Sequence, residues 1–597
     1  MRRKSPAPSP SFTSLRAYGL ALAQTHRRFG RRAASVTTAC EEMSRVRARS
    51  GSDMAATLRW TDLVGLGIGG MLGAGVFVST GRAARDFAGP AVVLSYAIAG
   101  LCALLSAFCY TEFAVDLPLA GGAFSYLRVT FGEFAAFLTG ANLLMEYVFS
   151  NAAVARSLTA YLGAAIGVET EEKWRITVSA LPHGFNKLDP LAVFVILGLT
   201  LCICYSTKNS SKLNMALTAA HVVFLLFIIV MGFWRGEWKN FTRPARPGEH
   251  AGGFSPYGIG GVFNGAAAVY LSYIGYDAVS TMAEEVSNPA RDIPMGVSGS
   301  VAVVTLLYCL MAASMAMLVP YDAIEVESPF SAAFKGSNGW GWVSSLIGAG
   351  ASFGILTSLL VSMMGQARYL CVIGRAHVVP ARLAEVHPLT STPVNASLLL
   401  GGLTAFIALF TDLNVLLNLV TIGTLFVFYM VANAVIYRRY VSQGSTNPWP
   451  TIGFLVLFSL SAATFTFSWR ILRFGGGGGV AKVLLLSGSA ATAAAAVCAF
   501  ASWVPQARKP ELWGVPLMPL VPAISIFLNV FLIGLLDWPS YVRFGAFTAL
   551  AVVYYLLYGV HASFDAEECG ELTAEPSNSF STAWPSAGGG QHEQGRT

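Results

Sequence analysis

Long apolar runs are the feature that most restricts this chain. Stretches near or beyond eighteen apolar residues recur along it, and such runs cross membranes as helices. Only 12% of the residues are charged, about half of the roughly 25% typical of a soluble domain. The reading is an all-α integral membrane protein with about fourteen spans, from 62–80, 89–111 and 133–165 through 213–234, 257–283 and 341–371 to 542–561. The third (133–165) and eighth (341–371) exceed what a bilayer needs, so they should tilt or protrude.

Residues 1–54 form a tail rich in Arg and Ser, with Arg2, Arg3, Lys4, Arg27, Arg28, Arg31 and Arg32 among its bases. Such a tail reads either as an organelle transit peptide or as a retained cytoplasmic tail. The second is preferred, because positive charge beside a first span keeps that side inside. Fourteen spans then place Lys208, Lys212, Arg375, Arg382, Arg438, Arg439, Arg508 and Lys509 on the same side, although the basic loop 235–256 falls outside. That loop holds Asn240-Phe241-Thr242, an N-glycosylation acceptor pattern. Residues 55–440 read as a core of ten spans, 441–562 as four peripheral spans, and 563–597 as a disordered cytoplasmic tail. The net charge of +7 sits mainly in these flanks and does not form a nucleic-acid patch. Most of the nine cysteines lie in apolar segments without metal-ligand spacing and read as packing residues. No metal, cofactor, nucleophile motif or nucleotide loop is expected, and the chain does not read as an enzyme. GGGGG at 475–479 lacks the strand and GK[ST] of a phosphate cradle.

Residues 65–81, GLGIGGMLGAGVFVSTG, hold seven glycines in seventeen positions. Each interior glycine weakens a helix by roughly 1 kcal/mol relative to alanine. Gly65, Gly69 and Gly73 have the spacing of a close-packed helix pair. A second explanation is a broken helix, tolerated at mid-membrane where it is buried in protein or lines a cavity. The sixth span, YLSYIGYDAVSTMAEEVSNP at 270–289, has Gly275 mid-span and Asp277 two residues later. Two glycine breaks at corresponding places in two halves favour a binding site at discontinuous helices.

The segments GIGGMLGAGVFVSTG, SYIGYDAVSTMAEEVSNPARDIP (272–294) and LLMEYVFSNAAVARSLTAYL (143–162) resemble the amino acid–polyamine–organocation superfamily. They are most similar to its cationic amino acid transporters, and the tail ending EEMSRVRARSGSDM is similar to the plant branch. The likeness runs from about residue 13 to 562. It implies a LeuT-type five-plus-five inverted repeat with discontinuous helices 1 and 6, working by alternating access. It further implies that backbone N–H groups near Gly73, Ala74 and Gly75 hold a substrate carboxylate, with Met71 also in the substrate site. Carbonyls around Tyr273, Ile274 and Gly275 would then take the α-ammonium.

Glu146 lies mid-span without a nearby cation, and an intramembrane carboxylate is costly and usually functional. By the resemblance it meets a basic side chain; the structural alternative is a partner for Arg156. His221, in the fifth span, is either a neutral core residue or a proton-coupling base. The resemblance places it where a proton-coupled bacterial relative carries a lysine. Glu112, Glu285 and Arg291 read as gate or helix-end residues. The implied function is proton-coupled uptake of lysine and arginine, with amino acid, protons and the lipid bilayer as partners and the plasma membrane as address, the vacuolar membrane second. A neutral amino acid, γ-aminobutyrate or polyamine carrier, or an amino-acid-sensing receptor, remains an alternative.

Overall fold

The computed structural model describes residues 10–36 and 58–568, apart from 118–120, 168–173, 183, 206–209, 282, 284–285, 327, 336–339, 388–389, 391, 443–445 and 475–478. Two helices open it, α1 (Leu15–Ala23) and α2 (Thr25–Arg32). Next come α3 (Trp60–Met71), α4 (Ala74–Arg82), α5 (Val92–Asp116), α6 (Gly122–Thr130) and α7 (Glu133–Ala165). A short hairpin pairs Ile176–Thr177 with Lys187–Leu188. The middle of the chain holds α8 (Pro190–Tyr205), α9 (Ser210–Arg235), α10 (Gly258–Val269), α11 (Asp277–Thr281), α12 (Pro289–Leu318) and α13 (Pro329–Lys335). After it come α14 (Gly341–Arg375), α15 (Val394–Phe410), α16 (Leu413–Tyr440), α17 (Trp449–Phe474) and α18 (Gly479–Trp503). The last are α19 (Leu520–Gly534), α20 (Trp538–Tyr554) and α21 (Val560–Glu568).

Among the described residues, eight helical stretches are long and apolar enough to cross a bilayer, and three shorter apolar helices join them. Fourteen spans were expected. The three outside both groups are the two that break, 62–80 and 257–283, and 133–165. The last is a single helix of 33 residues that carries Glu133, Glu146 and Arg156. Outward-facing Leu460, Val483, Leu484, Leu485 and Leu550 are more than half exposed. A soluble surface rarely tolerates so much contiguous apolar area, whereas lipid does.

Inside, α7 packs along α14 and α16, and α12 packs along α5 and α3. The chain leading into α3 runs beside the chain leaving α11: Leu58 forms a parallel bridge with Val286, and Ser287 N donates to Leu58 O at 3.0 Å. Small residues let these helices approach. A Cβ on Gly67 would meet Ser300 Oγ at 2.4 Å, and one on Gly296 would meet Leu63 Cβ at 2.5 Å.

The structure departs from the sequence reading at the glycosylation pattern and in the two tail segments. Asn240 of the glycosylation pattern is buried, and its Nδ2 donates to Met317 O at 2.7 Å, so the amide is not offered to a glycosylating enzyme. Nearby, Asp322 accepts from the N–H groups of Ala245 and Arg246 at 2.8 and 2.9 Å. Burial alone would raise the Asp322 carboxyl, but these N–H donors hold it below the usual carboxylate range. The final helix runs to Glu568, past the expected tail boundary at 563, and residues 10–36 pack against it.

Candidate functional site

The first break falls inside the glycine run. Helix α3 ends at Met71, Gly73 is extended with φ −145° and ψ −153°, and α4 begins at Ala74. The first amides of a helix have no intrahelical acceptor and carry partial positive charge. Side chains are excluded here. A Cβ on Gly73 would lie 2.2 Å from Ser358 Oγ, and one on Gly75 would lie 2.6 Å from Ser272 Cα.

The second break opens as a 3₁₀ turn at Tyr270–Tyr273, continues through extended Ile274, and resumes as α11 at Asp277. Gly275 has φ +125°, a conformation that L side chains rarely adopt. A Cβ there would also lie 2.4 Å from Gly70 O, so the two breaks meet backbone to backbone. Tyr308 of α12 ties them together, its hydroxyl lying 2.6 Å from Met71 O and 2.9 Å from Ser272 O.

Between the breaks lies a cavity. Met71, Gly73 and Gly75 line it from the first, and Ile274, Gly275 and Asp277 from the second. Helix α7 supplies Tyr147, Ser150, Val154 and Ser157; α14 supplies Ser358, Val361, Ser362 and Gly365. Asp277 is the carboxylate in this wall. Its Oδ2 accepts from the Tyr147 hydroxyl at 2.9 Å, and its Oδ1 accepts from Gly275 N at 3.2 Å. An ionised carboxylate held at the edge of a pocket by two donors can meet a cation there.

Five of the eight expected substrate-contacting residues line this cavity: Met71, Gly73, Gly75, Ile274 and Gly275. Ala74 opens α4 between two of them. Tyr273 does not line it; its hydroxyl donates to Tyr96 O at 2.8 Å. Glu146 stands apart as well. It is buried against α16, where Oε1 accepts from the Thr424 hydroxyl, and Oε2 has no hydrogen-bond partner among the described residues. Arg156, its alternative partner, instead bonds Thr411 O and Lys187 O and lies 3.4 Å from Asp412.

The sequence reading assigned neither Tyr147 nor Asp277 to the pocket. The signal was helical spacing: 147, 150, 154 and 157 advance by three and four residues along one face. Glu146, four residues before Ser150, shares that spacing, and what takes it out of the wall is its side chain's bond to Thr424.

A second, smaller cavity adjoins the first. Thr218 and His221 of α9 line it with Gly69, Leu72, Thr357 and Ser358, and Ser358 and Val361 belong to both walls. The His221 ring stacks on Phe77 at 5.9 Å, and Nε2 has no hydrogen-bond partner among the described residues.

The gate residues are scattered. Glu112 forms a bidentate buried pair with Arg439, Nε to Oε1 at 2.6 Å and Nη2 to Oε2 at 2.9 Å, and also accepts from Val515 N at 2.8 Å. Arg291 is exposed in the first turn of α12. Glu285 lies outside the described residues.

Comparison with known proteins bears on this geometry. The sequence profile of the amino acid permease family matches residues 58–477, and that of the permease C-terminus matches 513–563. Among similar proteins of Arabidopsis thaliana, "Cationic amino acid transporter 6, chloroplastic" is 67% identical over 94% of this chain and 95% of its own length. "Cationic amino acid transporter 7, chloroplastic" is 66% identical over the same shares. "Cationic amino acid transporter 1" is 43% identical over 94% of this chain and 91% of its own. The names of the first two overturn the plasma-membrane and vacuolar address expected from the sequence. The physical reason is that basic flanks orient a span without naming the membrane that holds it, and a transit peptide and a retained tail can carry the same positive charges. A permease profile over most of the chain, with transporters as relatives along nearly its whole length, marks an amino acid transporter rather than an enzyme: the chain belongs to the plant cationic amino acid transporter family of the amino acid–polyamine–organocation superfamily.

Proposed function

We propose that this protein is a secondary active transporter of cationic amino acids, lysine and arginine, in a chloroplast membrane. The observation that carries the substrate class is Asp277 in the cavity wall, between two helix breaks. The N–H groups opening α4 at Gly73, Ala74 and Gly75 suit the substrate carboxylate, because a helix N-terminus carries partial positive charge. Carbonyls around Tyr273, Ile274 and Gly275 suit the α-ammonium. The side-chain cation then faces Asp277 across the pocket. Glu146, one residue from Tyr147, adds negative potential from behind. The names of the relatives support the cargo, and two of them support the membrane.

The mechanism is alternating access in a five-plus-five inverted repeat of a fourteen-span fold. The two glycine breaks, which meet at Gly70 and Gly275, support that arrangement. Proton coupling runs through His221, whose cavity shares Ser358 with the substrate pocket. Arg291 and Glu285 act at the gate beyond the second break, and Glu112 with Arg439 anchors the same side.

The test is uptake by proteoliposomes of labelled lysine, arginine, glutamine and γ-aminobutyrate, at two pH values, by wild type and Asp277→Asn. The reading requires lysine and arginine to lead in the wild type. It also requires Asp277→Asn to lower them about tenfold, ~1.4 kcal/mol, against glutamine. Equal uptake of neutral cargo by the wild type points to a neutral amino acid carrier. Binding without counterflow points to a sensor.

A further inference from the structure

The basic N-terminal segment has partners built for it. Ser11 N and Oγ donate to Oδ2 and Oδ1 of Asp565, each at 2.8 Å, and Arg28 Nη1 reaches the same carboxylate at 3.2 Å. Arg32 bridges two acids: it pairs with Glu133, the first residue of α7, and with Glu567 at 3.0 Å. Glu133 is fully buried, and its remaining bonds come from Tyr555 at 2.9 Å and Ser563 at 2.6 Å. The apolar side fits as well. Phe29 lies edge-on to Phe134 and Tyr555, and Phe12 stacks on Tyr558 at 4.9 Å.

The backbone of α7 is shaped to the same segment. Gly132 has φ +94°, and a Cβ there would lie 2.7 Å from Ala33 O. Phe134 N donates to Ala33 O at 3.2 Å. A buried carboxylate that loses its cation is strongly destabilised. Loss of residues 10–36 would therefore take from Glu133 its nearer cation, Arg32, leaving Arg128 at 3.9 Å, and would open the seat at Gly132.

We propose that residues 10–36 stay in the mature protein as a clasp fastening the start of α7, the pocket helix, to the terminal helix α21. An address removed on import does not include them. The proposal does not depend on which amino acid is carried, so its failure and that of the transport reading are separable.

Two measurements test it on the full chain. Peptide mapping of protein purified from its native membrane should recover peptides within 10–36 in one-to-one ratio with core peptides. A mature chain starting beyond Val36 overturns the proposal. In reconstituted protein, trypsin should cut slowly after Arg27, Arg28 and Arg31 in the wild type. Asp565→Arg should cut at least about tenfold faster, and the exchanged pair Arg28→Asp with Asp565→Arg should recover part of the protection at Arg27 and Arg31. Wild type cut as fast as Asp565→Arg, or no recovery in the exchanged pair while the core of both variants resists trypsin, overturns it.

Discussion

Gly275 and Gly70 touch backbone to backbone: a Cβ on Gly275 would stand 2.4 Å from the Gly70 carbonyl oxygen, and one on Gly70 would stand 2.9 Å from that of Gly275. The contact joins the two helix breaks, and both glycines line the cavity. Gly275→Ala meets both obstacles, φ +125° and the carbonyl. Strain at such a backbone position costs on the order of 1–3 kcal/mol. The variant should reach the membrane with lowered thermal stability and lose lysine binding at least about tenfold. Binding within about twofold of wild type would mean the breaks tolerate separation.

Gly75→Leu probes the other break. Its Cβ would lie 2.6 Å from Ser272 Cα, and the longer side chain would cover the amides that open α4. Folded protein without lysine binding is the expected result, read by scintillation proximity on detergent-solubilised protein. Retained binding would make the glycines packing residues.

How much of this was legible in the sequence differs residue by residue. The breaks were, because glycine inside an apolar span is a local signal that survives without knowledge of neighbours. The pocket wall was legible in part. Met71, Gly73, Gly75, Ile274 and Gly275 lie beside the breaks, so the chain itself carries them in. Glu146 stood out because a lone carboxylate in a span is rare, yet rarity does not say which way a side chain points. The face of α7 that meets the cavity carries Tyr147, and Glu146 turns to Thr424 on α16. Asn240 failed for a similar reason, since a glycosylation pattern says nothing of burial. The seat of residues 10–36 was illegible because its partners, Glu133 and Asp565, stand about a hundred and more than five hundred positions away.

The two acids near the pocket predict different losses. Asp277 lines the cavity, whereas Glu146 does not and is held by Thr424 on α16. Glu146→Gln keeps an oxygen for the Thr424 hydroxyl and removes the charge. It should lower lysine uptake relative to glutamine by only about twofold, against about tenfold, ~1.4 kcal/mol, for Asp277→Asn. Competition assays with both variants give the ratio. A larger loss in Glu146→Gln would make that carboxylate the chief counter-charge.

His221→Ala tests coupling. The ring stacks on Phe77 and fills space against Gly354, where a Cβ would meet the ring at 2.0 Å. Removing it deletes the base but leaves the substrate pocket walls in place. Net uptake should lose its dependence on an imposed pH gradient, while exchange of preloaded lysine continues. A wild-type pH response in the variant would place the coupling group elsewhere.

The pair Glu112–Arg439 is predicted to act on stability ahead of selectivity. Both side chains are buried, the pairing is bidentate, and Val515 N completes the acceptor set at 2.8 Å. It fastens α5 and α16 to the segment leading into α19, and a Cβ on Gly514 would meet Arg439 Nη2 at 2.1 Å. Breaking a buried pair by removing one partner typically costs about 3–5 kcal/mol, because the other charge is left uncompensated. Glu112→Ala should therefore lower the thermal transition of detergent-solubilised protein strongly. Glu112→Gln, which keeps the shape and one acceptor, should lower it less. Replacing both partners, Glu112→Gln with Arg439→Met, removes the stranded charge and should recover part of the loss. Lysine and glutamine uptake per folded molecule should fall in parallel, since neither residue lines the substrate cavity. A selective fall in lysine uptake, with stability unchanged, would instead give Glu112 a part in recognising the cationic side chain.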